Sequence, residues 1–173
     1  MKKFRFTKNE KIYLLLALLV LVLLFISSSM TYHQQEMKSI SINHHLSLVE
    51  KLVGNWNIYY GGKWHNAHLD GGVASMTEFV IRKAAHFSSY FLVGLFGYLG
   101  LKRIFKINWL GPLFIWLTVI GLAAFDEFHQ FLTGDRTPSV HDIMLDGAGA
   151  LTGILLCLIG QAVHTLIMKK KSS

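Results

Sequence analysis

Cysteine is almost missing from the chain. Cys157 stands alone, so no intramolecular disulfide can form and no cysteine-based metal spacing exists. It lies inside a long apolar run, where it reads as a small packing residue. Charge is scarce too: 16% of the 173 residues are charged, against 52% hydrophobic. There is no internal repeat and no low-complexity tract. What the chain does have is long apolar runs, at 12–26, 79–101, 109–125 and 143–168. Each comes close to the ~20 residues that a membrane-spanning helix needs.

The expected fold class is therefore all-α, a polytopic membrane protein with four transmembrane helices. The spans are expected at approximately 12–29, 79–101, 109–126 and 139–168, in a single membrane domain over 1–173 with no separate soluble domain. The first run also has the basic start of a signal peptide, "MKKFRFTKNEK". The "SSSMTYHQQ" that follows offers a poor small-residue cleavage pattern, so an uncleaved span is expected.

A formal net charge of +7 raises the question of a nucleic-acid partner. The distribution of that charge answers it. Eleven of the 17 Lys and Arg precede the first span, join the second to the third, or end the chain. If four spans alternate, all eleven share one side, while 9 of the 10 acids fall on the other. By the positive-inside rule both termini are expected in the cytoplasm. The basic residues then report topology and contact with anionic lipid, not nucleic acid.

Residues 31–77 form the long external loop. Ile42, Leu46, Val49 and Val53 recur there at helical spacing, which predicts a short amphipathic helix. The stretch after it, "GNWNIYYGGKWHNAHLDGG", is rich in glycine and aromatics. It suits an interfacial anchor, or more sharply a lid over a ligand. Ser75-x-x-Glu78 fits a capping box and predicts a helix start at Met76. Pro138 can open the fourth helix at its first turn.

The unusual residues converge at one depth. Span two brings Arg82, Lys83, His86 and Tyr90. Span three ends with Asp126, Glu127, His129 and Gln130. The next turn adds Asp135 and Arg136, and span four begins with His141, Asp142 and Asp146. Arg82, His86 and Tyr90 lie four apart, on one helix face. Asp142, Asp146, Gly149 and Gly153 form a stripe suited to a neighbouring helix. Ionisable groups within spans usually pair with one another or line a wet cavity. The expectation is that acids of spans three and four meet Arg82 and Lys83. The competing view is a set of ion pairs that merely registers the helices.

Arg82, Lys83 and Arg136, with Tyr90, Gln130 and Asp146 beside them, are candidate ligand-binding residues for an anion such as a phosphate or carboxylate. If the protein is an enzyme, His86, Asp126, Glu127, His141 and Asp142 are the candidates for acid–base work. No metal is expected: there is no HExxH-type spacing, and the nearby cations oppose one. No cofactor is implied.

Two blocks, "RKAAHFSSYFLVGLFG" and "FDEFHQFLTGDRTPSVHDIMLDGAGALTG", resemble the VanZ-like family of small bacterial membrane proteins, over roughly residues 27–153. Arg82, Lys83 and His86 fall on the first motif of that family. Asp126, Glu127, Gln130, Arg136, Asp142 and Gly149 fall on the second. The family pattern often has asparagine where this chain has Asp146. The resemblance implies a role in the bacterial cell envelope and a link to teicoplanin and lipoglycopeptide susceptibility, without supplying a reaction.

Three functions compete. In the first, a non-enzymatic protein binds an anionic lipid or a lipid-linked cell-wall precursor at the outer face of the bacterial cell membrane. In the second, a membrane-embedded hydrolase or transferase acts on a lipid phosphate headgroup. Arg136, His141 and Asp146 come near the arginine–histidine–acid spacing of one large type of lipid phosphatase but miss it at both steps. The third, a transporter, fits poorly: four short spans leave little room for alternating access, and the charges sit at one side instead of at the midplane.

Overall fold

The structure, a computed structural model, describes residues 5–30, 46–107, 109–133 and 138–171. Four of its helices are long and apolar enough to cross a membrane.

Helix α1 (Lys8–Ser28) starts with a capping box. The Thr7 hydroxyl accepts from the Glu10 amide, and the Glu10 carboxylate accepts from the Thr7 amide at 2.7 Å, so two otherwise orphaned donors are satisfied. Beyond that turn the helix exposes Leu15, Leu18, Leu19 and Leu23, as a helix bathed in lipid does. Helix α2 (Leu46–Val53) is the described part of the expected amphipathic segment; Ile42 lies outside the described residues. α2 packs on the third helix, with Val53 buried and Leu52 exposed.

Two short strands follow, β1 (Ile58–Tyr60) and β2 (Lys63–His65), paired antiparallel with Tyr60 opposite Lys63. The turn between them is Gly61-Gly62, with φ of 61° and 82°. Both values are left-handed, which only glycine adopts freely and which a tight hairpin turn requires. This hairpin adds a small strand element to an otherwise helical fold. Its signal, two glycines between alternating aromatics, was present in "NIYYGGKWH".

Helix α3 (Val73–Leu101) begins three residues before the expected Met76. Gly72, at φ 125°, occupies the cap position, and no side chain caps the helix. Glycine makes the turn into the helix, so Ser75 is already helical and its capping box does not form. Helix α4 (Leu110–Leu132) runs past the expected end at 126, so Asp126, Glu127 and Gln130 lie within it. Helix α5 (Val140–Lys171) begins two residues after Pro138, which stands ahead of the helix and not in its first turn. Ser139 makes the entry: its carbonyl accepts from Asp142 and Ile143.

The bundle is organised on α3, which packs most extensively against α5 and then against α1; α4 packs mainly on α5. The α3–α5 seam is held by close backbone approach. A Cβ on Gly94 would strike the Ala150 backbone, and one on Gly149 or Gly153 would strike the Phe87 or Phe91 carbonyl. Small residues are what a helix pair uses when lipid removes the hydrophobic drive to associate. Around the seam Tyr90, Val93, Ile115, Val119, Ala123, Ala150 and Ile154 form the buried core. On α4 the inward stripe Ile115–Val119–Ala123 continues into Asp126, Glu127 and Gln130. On α5 the stripe from Ile154 and Ala150 continues into Asp146 and Asp142. The same faces that pack the middle of the bundle thus turn polar at one end.

Trp116 ties α4 to α5 by donating its indole N–H to the Gly147 carbonyl at 2.8 Å. Trp116→Phe is expected to lower stability by about 1 kcal/mol, measured as a fall in thermal midpoint in detergent.

Candidate functional site

The end of the bundle away from Lys8 and Lys171 carries the polar cluster. Its centre is Asp142, in the first turn of α5. One oxygen, Oδ1, receives two donors: the Lys83 ammonium of α3 and the Tyr60 hydroxyl of β1. The Lys83 ammonium also lies 4.9 Å from the centre of the Tyr60 ring and 5.7 Å from that of Phe79, within range of cation–π attraction. Burial, and then the bond to Asp142, push the Tyr60 phenol well above its ordinary range, so it stays a neutral donor. The hairpin is seated by rings: Tyr60 meets Phe79 edge-on at 5.8 Å, and His65 stacks on Phe79 at 4.1 Å. His65 is held in turn by Asp70 at 3.0 Å.

One turn deeper, His86 Nδ1 stands 3.5 Å from Asp146 Oδ2. Asp146 is wholly buried, and among the described residues neither of its oxygens has a hydrogen-bond partner. An amide fills the same space without a buried charge. It also takes the acid from beside His86, so Asp146→Asn is expected to lower the thermal midpoint at acid pH, where a protonated His86 loses its counter-charge, and to leave it near wild type at alkaline pH, where no charge is left unpaired.

Asp126 on α4 accepts from Ser28 at the end of α1 and, at 3.0 Å, from Gln130 on its own helix. Gln130 also donates to Ser28 at 3.3 Å. Glu127 accepts the Ser139 amide at 2.9 Å and so fixes the entry to α5. Apart from the Gln130–Asp126 bond within α4, these bonds join the ends of two elements, so the cluster closes the bundle at this end.

The expected meeting of Lys83 with an acid of another span is found with Asp142 of α5; Asp126 and Glu127 of α4 bond instead to Ser28, Gln130 and Ser139, and His86 stands beside Asp146. The Arg82 guanidinium stands 3.3 Å from Glu78, one turn back on its own helix. That is the ordinary i, i+4 pair of a helix surface. His141 is exposed at the start of α5, its ring 5.9 Å from Tyr60. Arg136 and Asp135 lie outside the described residues. Among the described residues no group of three or more His, Cys, Asp or Glu side chains has the geometry to hold a metal ion.

Among the described residues two clefts take in part of the constellation, Lys83 in one and Tyr90, Asp126 and His129 in the other, while His86, Glu127, Asp142 and Asp146 line neither. One, of about 360 Å³, is lined by Ile58, Tyr60, Phe79, Lys83, Phe87 and Leu145 among others. The other, of about 180 Å³, lies between α1, α3 and α4 and includes Tyr90, Asp126 and His129. Several contributors escape the sequence reading, and three of them are instructive. Tyr60 needed the hairpin to be recognised. Ser28 had a faint signal, the polar run "SSS" closing an apolar span. Glu78 fits a cap by its spacing and in the structure stands beside Arg82.

This is an all-α, multi-pass membrane protein with a charged closure at one end. A family model described as VanZ/LLP1 matches residues 13–161, and the chain belongs to that family. The match is wider than the stretch on which the two motifs rest. No curated protein and no solved structure matches the chain. Family membership makes it a cell-envelope membrane protein of VanZ type.

Proposed function

We propose that the protein binds the anionic headgroup of a lipid or a lipid-linked wall precursor, in the groove beside Lys83. One observation carries this reading. The groove is walled by apolar side chains, Val80, Ala84, Phe87 and Leu145 among them, and among the described residues Lys83 is the one charged member of its lining. An acyl or prenyl chain suits such walls, and a phosphate oxygen suits the point where Lys83 and Tyr60 already converge on an oxygen of Asp142. Asp142 holds the place of the ligand's oxygen when none is bound.

Retention of anionic lipid by the purified chain tests this. Lys83→Gln is expected to reduce bound phosphatidylglycerol about tenfold, the effect of losing one charge-assisted contact. Equal retention by wild type and Lys83→Gln contradicts it.

The orientation follows from the charge bias: both termini in the cytoplasm, the hairpin and groove at the outer face of the bacterial cell membrane. In a Cys157→Ser background, Tyr59→Cys is expected to react with an impermeant thiol reagent on whole cells; reaction only after lysis reverses the topology. A protein that covers or withholds a lipid-linked precursor at that face alters access for glycopeptides and lipoglycopeptides. Loss of the gene is then expected to shift teicoplanin susceptibility, and Lys83→Gln to fail to restore it.

A second reading, a hydrolase or transferase acting on a lipid phosphate, has one observation in its favour: the His86–Asp146 pair, a histidine 3.5 Å from a buried acid one turn below Lys83. His86→Ala that keeps lipid binding but loses function supports chemistry; His86→Ala with full function removes this reading.

A further inference from the structure

The smaller cleft, of about 180 Å³, shares no lining residue with the Lys83 groove. Four rings border it, those of Phe25, Tyr90, Phe125 and His129, together with one carboxylate, Asp126. Asp126 is 7% exposed, and its bonds come from Ser28 and Gln130, both neutral. Glu78, Asp142 and Asp146 each stand beside a basic side chain. Asp126 forms no ion pair among the described residues. His129 Nδ1 is buried in the same region with no hydrogen-bond partner among the described residues, its ring stacked on Phe25 at 4.7 Å.

These features define a ligand chemistry. A carboxylate kept in place by neutral donors repels anions and attracts a cation. Rings around a carboxylate favour ammonium groups, whose diffuse charge interacts with π faces. An uncommitted ring nitrogen can accept an N–H. The volume holds a small polar head and not a whole lipid. A hydrated metal ion is disfavoured, because the lining supplies one carboxylate and mostly apolar side chains.

We propose that this cleft binds an organic ammonium group, either the headgroup amine of a lipid or a free small amine. The site is independent of the Lys83 groove, so failure of either leaves the other standing.

The test uses the full chain in nanodiscs. Discs of phosphatidylglycerol alone receive ethanolammonium by titration calorimetry, and discs of mixed phosphatidylglycerol and phosphatidylethanolamine are analysed by native mass spectrometry for lipid retained on the protein. Wild type is expected to bind free ethanolammonium or to retain phosphatidylethanolamine preferentially. Asp126→Asn, which keeps the shape and can still accept from Ser28, is expected to weaken this at least about tenfold, while Lys83→Gln leaves it unchanged. Displacement of the retained lipid by ethanolammonium identifies a site open to both sources; preference without displacement identifies the lipid as the source. Should Asp126→Asn fail to fold, Phe125→Leu at a lipid-facing position decides, with a severalfold loss expected. Wild type without ammonium binding or lipid preference overturns the proposal. So does unchanged affinity in a folded Asp126→Asn, or in Phe125→Leu where that variant decides.

Discussion

Lys83→Met is expected to lower the stability of the folded bundle by about 2–3 kcal/mol. Removing one member of a buried ion pair costs ~3–5 kcal/mol, because the other charge stays buried without its counterion. The smaller figure reflects side-chain exposures of 27% for Lys83 and 18% for Asp142, and the hydrogen bond that Tyr60 still gives Asp142. Asp142→Leu should cost less, since a long lysine can bend toward the headgroups and rehydrate. Joining Lys83→Met to Asp142→Leu should bring stability back to within about 1 kcal/mol of wild type, as replacing a whole buried pair by apolar groups often does. Unfolding in bicelles for the four proteins of the cycle gives the coupling directly. Additive losses would mean that the two side chains do not interact.

Gly149→Leu is expected to have a larger effect. The backbones of α3 and α5 touch at this point: a single Cβ would overlap the Phe87 carbonyl and come within 3.3 Å of the Phe91 amide. Neither atom is the tip of a flexible side chain, so the helices must separate. Separation also pulls Gly153 from the Phe91 carbonyl and Gly94 from Ala150, and it draws Asp146 and Asp142 away from α3. Overpacking alone costs about 1–3 kcal/mol; loss of the pairs above the seam adds to it. The expected readout is a several-fold fall in folded protein recovered in mild detergent. Gly160→Leu, whose added Cβ meets nothing within 4 Å, is expected to behave as wild type.

Four spans, their order and the polar end were legible because lipid imposes a strong pattern: a spanning helix must be apolar for ~20 residues, and departures from that stand out. Lys83, His86, Asp142 and Asp146 were visible for that reason. Helix ends were less so. Gly72 and Ser139 set the starts of α3 and α5 by backbone geometry, and the serine–glutamate spacing at 75–78 imitated a cap. The contact of Arg82 with Glu78 is of another kind: it lies one turn away on the same helix surface and needs no tertiary folding to be close. Tyr60 was hidden for a different reason. Its role depends on a two-residue turn that carries it back over α3, and the aromatic composition of the loop reads equally well as an interfacial anchor.

The inward placement of α3's polar face against α5 underlies both the groove and the stability predictions, and cross-linking measures it most directly. In a Cys157→Ser background, Lys83→Cys with Asp142→Cys should be joined within one chain by a short thiol cross-linker in native membranes, whereas Lys83→Cys with Thr165→Cys, near the opposite end of α5, should not. Efficient joining of 83 to 142 alone is the predicted result. Joining of 83 to 165, with none to 142, would contradict the account.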